Sequence, residues 1–281
     1  MSIPRATAGR GPNPMGSALL PTARAALGRG VLPLAVPPGL RIIAHRGASA
    51  YAPENTLPAF QLALDMGVAE MELDVQLASD GVVVLCHDQT LDRYGHGPQT
   101  VESLPSCELL ELDMGAWFSP HLFGGERMLT LEALFALFAD RLTYHVEIKG
   151  RAPGLVAATV GLIQRHGLDE RCVVTSFQRD ALRAVHALAP HLRLGWLVDE
   201  IDELALAFAG ELSLNQLCPR ASFVNPTAVA RGHAAVSEVR AWGLTGPAKD
   251  VVELIRTVVD SGCDGMTLNW PDWVVYRCEK R

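Results

Sequence analysis

From residue 41 onward, short apolar runs alternate with stretches of helical period. The apolar runs predict strands over 41–45, 69–75, 82–86, 143–148, 172–176, 193–198, 213–217, 238–244 and 264–268. The helical stretches cover 56–66, 130–140, 154–167, 178–189, 201–209, 226–233 and 248–261. Thr130 suits a helix opening, Pro153 a first turn and Gly167 a helix stop. Strands alternating with helices predict a parallel sheet joined by right-handed crossovers. Eight such units fit an α/β TIM (β/α)8 barrel better than an open, doubly wound sheet, with 82–86 read as an extra strand on the second unit. The connection from His87 to Thr130 is too long for a plain turn. It predicts a small cap inserted after the second barrel unit, at about 88–129, over the barrel mouth.

Residues 1–40 break this rhythm. They are rich in Pro, Gly, Ala and Arg, and Arg24, Arg29 and Pro33 interrupt every apolar piece. That pattern lacks the continuous apolar core of a signal peptide. It predicts a poorly ordered N-terminal arm before a single catalytic domain over 41–281, with Met15 as an alternative start.

Charges appear where a buried strand should be apolar. Glu72 and Asp74 lie two apart in one strand, and Glu147 and Lys149 two apart in another. Side chains at i and i+2 share a face, so each strand aims two charges at one place. Met71, Leu73 and Val75 alternate with the first pair, as in a strand buried on its other face. Unpaired buried carboxylates are too costly to keep, so convergent ones carry a metal or a cationic partner. Two further strands end in histidine: IIAHRG in His45 and Arg46, and VVVLCHD in His87 and Asp88. The carboxyl ends of parallel strands carry the chemistry of α/β folds. Imidazoles titrate near neutrality and serve as acid and base, and an Arg offers a planar fork for phosphate oxygens. Together these residues predict metal-assisted cleavage of a phosphate ester. All-oxygen ligation favours one hard divalent cation, Mg2+ or Ca2+, over zinc.

Composition narrows the alternatives. The chain has 281 residues, 49% of them hydrophobic, which is ample for a large core. A formal net charge of −7 disfavours nucleic acid as a partner. No apolar stretch is long enough for a membrane span. The six cysteines lack metal-ligand spacing and predict reduced thiols in a cytoplasmic protein.

Three segments taken in order, HRGASAYAPENTLPAF, MELDVQLASDGVVVLCHD and VEIKG, resemble the glycerophosphodiester phosphodiesterases. The likeness runs from about Ile42 to Pro271 and includes MGAWF and the stretch around LTLEAL. It implies a TIM barrel that hydrolyses glycerophosphodiesters to an alcohol and glycerol 3-phosphate with a divalent cation. Matched residue by residue, it implies His45 and His87 as the acid–base pair and Glu72, Asp74 and Glu147 as metal ligands. Arg46 and Lys149 match phosphate-contacting positions. Glu54 and Asn55 match supporting positions of the first loop, and Phe177 and Trp242 match aromatic positions lining the glycerol. Two stretches depart from the family pattern. Asn269 stands where Asp is usual, and Trp242–Thr245 reads WGLT where WTVN is usual.

The expected partner is a small glycerophosphodiester, bound by a monomer or homodimer. No aromatic cage for choline and no charge partner for ethanolamine is identifiable, which predicts tolerance for the leaving alcohol. Three other readings fit parts of the pattern. One is a lysophospholipase D or phospholipase C-like lipid phosphodiesterase, favoured if Trp117, Phe118 and Phe123 are exposed on the cap. The others are a non-catalytic binding homologue and a sugar-phosphate barrel.

Overall fold

The computed structural model describes residues 32–276. In chain order its strands are β1 (Leu34–Val36), β2 (Arg41–His45), β3 (Glu70–Leu77), β4 (Val83–Leu85), β5 (Thr143–Ile148) and β6 (Cys172–Ser176). They continue with β7 (Arg193–Val198), β8 (Gln216–Pro219), β9 (Glu238–Ala241), β10 (Gly265–Leu268) and β11 (Val274–Tyr276). Eight of them, β2, β3 and β5 to β10, run parallel and close into a barrel. Closure falls at β2, which pairs Ile43 with Thr267 of β10 on one side and His45 with Glu72 of β3 on the other.

Alternation along each strand sorts the two faces. Met71, Leu73, Val75, Tyr144, Val146 and Ile148 pack outward against the helices in one continuous core. The helix Ala248–Asp260 answers with Val251, Val252, Ile255 and Val258, the spacing of one buried helical face. Glu70, Glu72, Asp74 and Gln76 occupy the intervening positions of β3 and are directed into the barrel. At its amino-terminal end the barrel is plugged by ion pairs. Arg41 binds Glu70 at 2.8 Å and Glu238 at 2.6 Å, and His145 lies 3.2 Å from Glu70. Gln216 donates to Glu238 at 2.6 Å.

The extra strand is antiparallel. β4 pairs Val75 with Leu85 and Leu77 with Val83, which carries β3 beyond the end of β2 and delivers His87 to the mouth. The long connection that follows builds a second, smaller cluster from Val84, Leu91, Tyr94, Val101, Leu109, Met114 and Met128. Trp117 packs edge-on against Tyr94 and donates its indole N–H to Met114 O, so it belongs to that packing.

Two sequence expectations are corrected. The strand expected at 213–217 begins at Gln216, because the helix Glu203–Leu212 runs on and Ser213 closes it in the left-handed region at φ 51°. Leu212 and Leu214 alternate like a strand, but Leu212 is the last helical residue. The strand expected over 238–244 stops at Ala241, and Gly243 turns the loop at φ 77°. The expected arm over 1–40 lies mostly outside the described residues. Within 32–40, however, β1 pairs with β11 through three registered pairs, and Val36 is 1% exposed. Neither β1 nor β11 was read from the sequence, since three residues are too short to show a period.

Candidate active site

The turn after β2 is built around two unusual residues. Arg46 and Asn55 both sit at φ 56°, outside the usual range for side-chain-bearing residues. Gly47 follows at φ 81°, and a Cβ there would come within 2.5 Å of the Ala59 backbone. The turn therefore lies directly on the helix Leu57–Asp65. Asn55 N donates to Arg46 O at 3.1 Å, closing the loop on itself.

That loop delivers its charges to β3. Arg46 donates to Glu54 at 2.8 Å and lies 3.1 Å from Asp74 Oδ2. Asn55 Nδ2 donates to the same oxygen at 3.0 Å. Arg93, from the inserted segment, forms an ion pair with Glu54 and lies 2.8 Å from Asp88. Glu54 is thus shared between two arginines and Tyr94, whose hydroxyl donates to it at 3.0 Å. Just after β5, Lys149 donates to Glu147 at 2.9 Å and lies 3.6 Å from Asp74 Oδ1.

Glu72, Asp74 and Glu147 offer oxygens that all lie within 4.8 Å of one another, and all three side chains are buried. Asp74 Oδ1 accepts no hydrogen bond. An orphaned buried oxygen among three carboxylates fits a site able to hold a hard cation. The charge states agree with that reading. Burial, then Asp74 and Glu147, push Glu72 well above the carboxylate range. Burial and Asp74 raise Glu147 to about 7. Burial also opposes the charge on Asp74, but Arg46 and Lys149 outweigh it and hold that carboxyl low. Burial likewise opposes the Lys149 charge, while Asp74 and Glu147 keep it protonated.

The two histidines have different partners. His45 Nδ1 lies 2.6 Å from Asn269 Oδ1, while Nε2 is 3.7 Å from Glu72. His87 Nδ1 lies 2.5 Å from the Asp88 carboxylate. Their side chains are about a quarter exposed, at 25% and 27%, so a ligand in the mouth can reach both. Burial and then Arg46 press His45 down to about 3. Burial also lowers His87, with Asp74 and Asp88 working against it.

These groups line one cavity of about 200 Å³. Its far wall is aromatic. Phe177 meets Trp242 edge-on at 4.9 Å between ring centres, and the Trp242 indole donates to Val198 O at 2.9 Å. Every site residue expected from the sequence lies in this cavity or in its supporting shell. Glu54, Asn55 and Asp74 sit behind the lining. Arg220, Arg240 and Thr267 also line it but were not singled out in the sequence, and neither was Arg93 behind Glu54. Arg240 was within reach, because it stands on β9 two positions before Trp242, which follows the strand, and obeys the same i, i+2 rule as Glu72 and Asp74.

The model of the glycerophosphoryl diester phosphodiesterase family matches residues 45–273. The glycerophosphodiester phosphodiesterase of Caldanaerobacter subterraneus subsp. tengcongensis is 39% identical over 160 residues, covering 56% of this chain and 65% of that protein. YhdW of Bacillus subtilis is 30% identical over 246 residues, covering 83% and 96%. Human lysophospholipase D GDPD3 is 32% identical over 164 residues, covering 57% and 51%. Among solved structures, an Oleispira antarctica phosphodiesterase in complex with the product sn-glycerol-3-phosphate superposes with a TM-score of 0.75. It is 28% identical, covering 84% of this chain and 94% of that one.

Proposed function

Since this chain belongs to the glycerophosphoryl diester phosphodiesterase family, we propose that it hydrolyses glycerophosphodiesters to glycerol 3-phosphate and an alcohol by metal-assisted acid–base catalysis. The phosphodiesterase class rests on the family match and on relatives named for that activity. The observation that carries the mechanism is the buried carboxylate triad with its orphaned Asp74 oxygen, set between two histidines that are each about a quarter exposed.

Glu72, Asp74 and Glu147 would hold one divalent cation, Mg2+ or Ca2+, which when bound supplies electrostatic stabilisation of phosphoryl oxygens. Lys149 faces the same cavity as a fixed positive charge, and Arg46 anchors Asp74 and Glu54 behind it. Such preorganised charge is the largest expected contribution to the rate. The histidine roles follow from their partners. An amide oxygen accepts, so Asn269 Oδ1 fixes the proton on His45 Nδ1 and leaves Nε2 with a free lone pair. His45 then serves as the base that takes the proton of the attacking group, either water, which gives glycerol 3-phosphate directly, or the glycerol 2-hydroxyl, which gives a cyclic phosphate that water opens in a second step. Asp88, being a carboxylate, favours the imidazolium of His87, which serves as the acid that protonates the leaving oxygen. Phe177 and Trp242 bound the pocket on the side where glycerol would lie.

One observation favours a second reading, a lysophospholipase D. Leu122, on the inserted segment, is 78% exposed, and the human relative bears that name. A single panel decides between the two. Glycerophosphocholine, glycerophosphoethanolamine and lysophosphatidylcholine are assayed with and without EDTA, followed by Mg2+ or Ca2+ add-back. Hydrolysis of the first two that is lost to EDTA and restored by the cation is expected. Full activity after exhaustive chelation overturns the metal assignment, and turnover of lysophosphatidylcholine alone replaces the substrate class.

A further inference from the structure

Resting on that hydrolase reading, we infer that the leaving alcohol is held in a second cavity, on the His87 side of Phe177, where Arg151 selects hydroxylated alcohols over cationic ones. This cavity has a volume of about 550 Å³ and shares His87, Glu147, Lys149 and Phe177 with the first. The two then diverge. Gln89, Thr90, Arg151 and Gln178 line the second alone, whereas His45 and Trp242 line the first alone.

A diester has two arms, and the first cavity takes the glycerol between Phe177 and Trp242. The histidines tell where the other arm runs. Displacement at phosphorus places the attacking and leaving groups roughly in line, on opposite sides. The base, His45, belongs to the first cavity alone, and the acid, His87, stands where the two cavities meet. The bond that breaks therefore points past His87 into the second cavity. His87 gives its proton to an oxygen whose alcohol already lies there.

The loop that carries Arg151 is braced on two sides. Glu102, from the inserted segment, accepts through Oε1 from the backbone N–H groups of Arg151 and Ala152, at 2.8 and 2.9 Å. Gln178 Nε2 donates to Lys149 O at 3.3 Å and to Gly150 O at 3.2 Å. The backbone is thus fixed in advance of binding. The Arg151 side chain is exposed and forms no hydrogen bond or ion pair among the described residues. The acids of this cavity are engaged elsewhere, Asp88 by His87 and Arg93, and Glu147 by Lys149. An ammonium on the alcohol meets Lys149 and Arg151 as like charges, with no free carboxylate in the lining. A hydroxyl can instead accept from Arg151 and donate to the amide oxygen of Gln89 or Gln178. The sequence reading expects tolerance because no headgroup partner is identifiable in the chain; Arg151 supplies one.

An isosteric pair of substrates tests this. The 2-hydroxyethyl ester of glycerol 3-phosphate is compared with glycerophosphoethanolamine, which carries an ammonium in place of the terminal hydroxyl. With Mg2+ or Ca2+ present, kcat/KM should favour the hydroxyethyl ester by about fivefold or more. Arg151→Gln should bring that ratio near one, and Arg151→Glu should invert it in favour of the amine. Arg220→Gln removes a cation that lines the first cavity alone, and it should move the ratio by less than about twofold. A ratio near one in the wild type overturns the inference. So does a ratio that Arg151→Glu leaves unmoved, or one that moves in Arg220→Gln instead, which would place the alcohol in the first cavity. No turnover of either ester overturns the hydrolase reading, and this inference falls with it.

Discussion

At Glu147, burial and the neighbouring Asp74 lift the carboxyl from its ordinary 4.5 to about 7. The folded, metal-free site holds that proton more tightly than the unfolded chain, so charging it disfavours the fold as pH rises from about 4.5 through 7. A cation must displace the same proton. Because Glu72 is also raised, Mg2+ or Ca2+ affinity should rise with pH from 5 to 8, with proton release measurable by calorimetry in buffers of different ionisation enthalpy. Flat affinity from pH 5 to 8 would refute this. The histidines separate by a different measurement. His45→Ala and His87→Ala should each lose about 10²- to 10⁴-fold on glycerophosphocholine. On a p-nitrophenyl diester, whose leaving group needs no proton, His87→Ala should recover most of its loss and His45→Ala should not. Equal losses on both substrates would undo the assignment of acid and base. At this scale much of the site was legible, because charges at i and i+2 in a buried strand announce themselves. Asn269 was legible as a departure from the family pattern, but its bond to His45 spans 224 positions and only the folded chain shows it.

Among the elements, the turn after β2 constrains the site most tightly. Gly47 sits at φ 81° with the Ala59 backbone 2.5 Å from where a Cβ would be. Gly47→Ala is expected to cost about 1–3 kcal/mol through overpacking and backbone strain. It should also displace Arg46 and Asn55, so activity falls further than the melting temperature implies. A variant with wild-type kcat would show that the turn is not the support described above. Strand order and most boundaries follow from periodicity, and the antiparallel β4 was visible as an apolar run one unit too many. The start of β8 was not legible, because the end of a helix and the start of a strand both place leucine at alternate positions. The packing of the inserted segment was equally hidden, since its cluster joins Val84 to Met128 across the whole insertion.

Over the whole molecule, two polar layers occupy a barrel interior that in this architecture is usually filled with branched apolar side chains. The lower layer is self-paired through Arg41, Glu70, Glu238 and His145. The upper one opens on the cavity, which marks it as the layer that handles ligands, and there Asp74 Oδ1 and Arg240 Nε accept and donate no hydrogen bond. Beyond the barrel, β1 and β11 join the two ends of the described chain. Deleting residues 1–36 removes β1 and the buried Val36, and it should lower the melting temperature while leaving kcat within about twofold; an unchanged melting curve would mean that the pairing adds nothing. That pairing also has a mechanical meaning. The strands are parallel, so tension applied through the two ends pulls β1 and β11 along their length in opposite directions and loads all three registered pairs at once, in shear. Stretched between a bead and a surface, the protein should yield first at this clasp, in a small extension step, before the barrel opens at higher force.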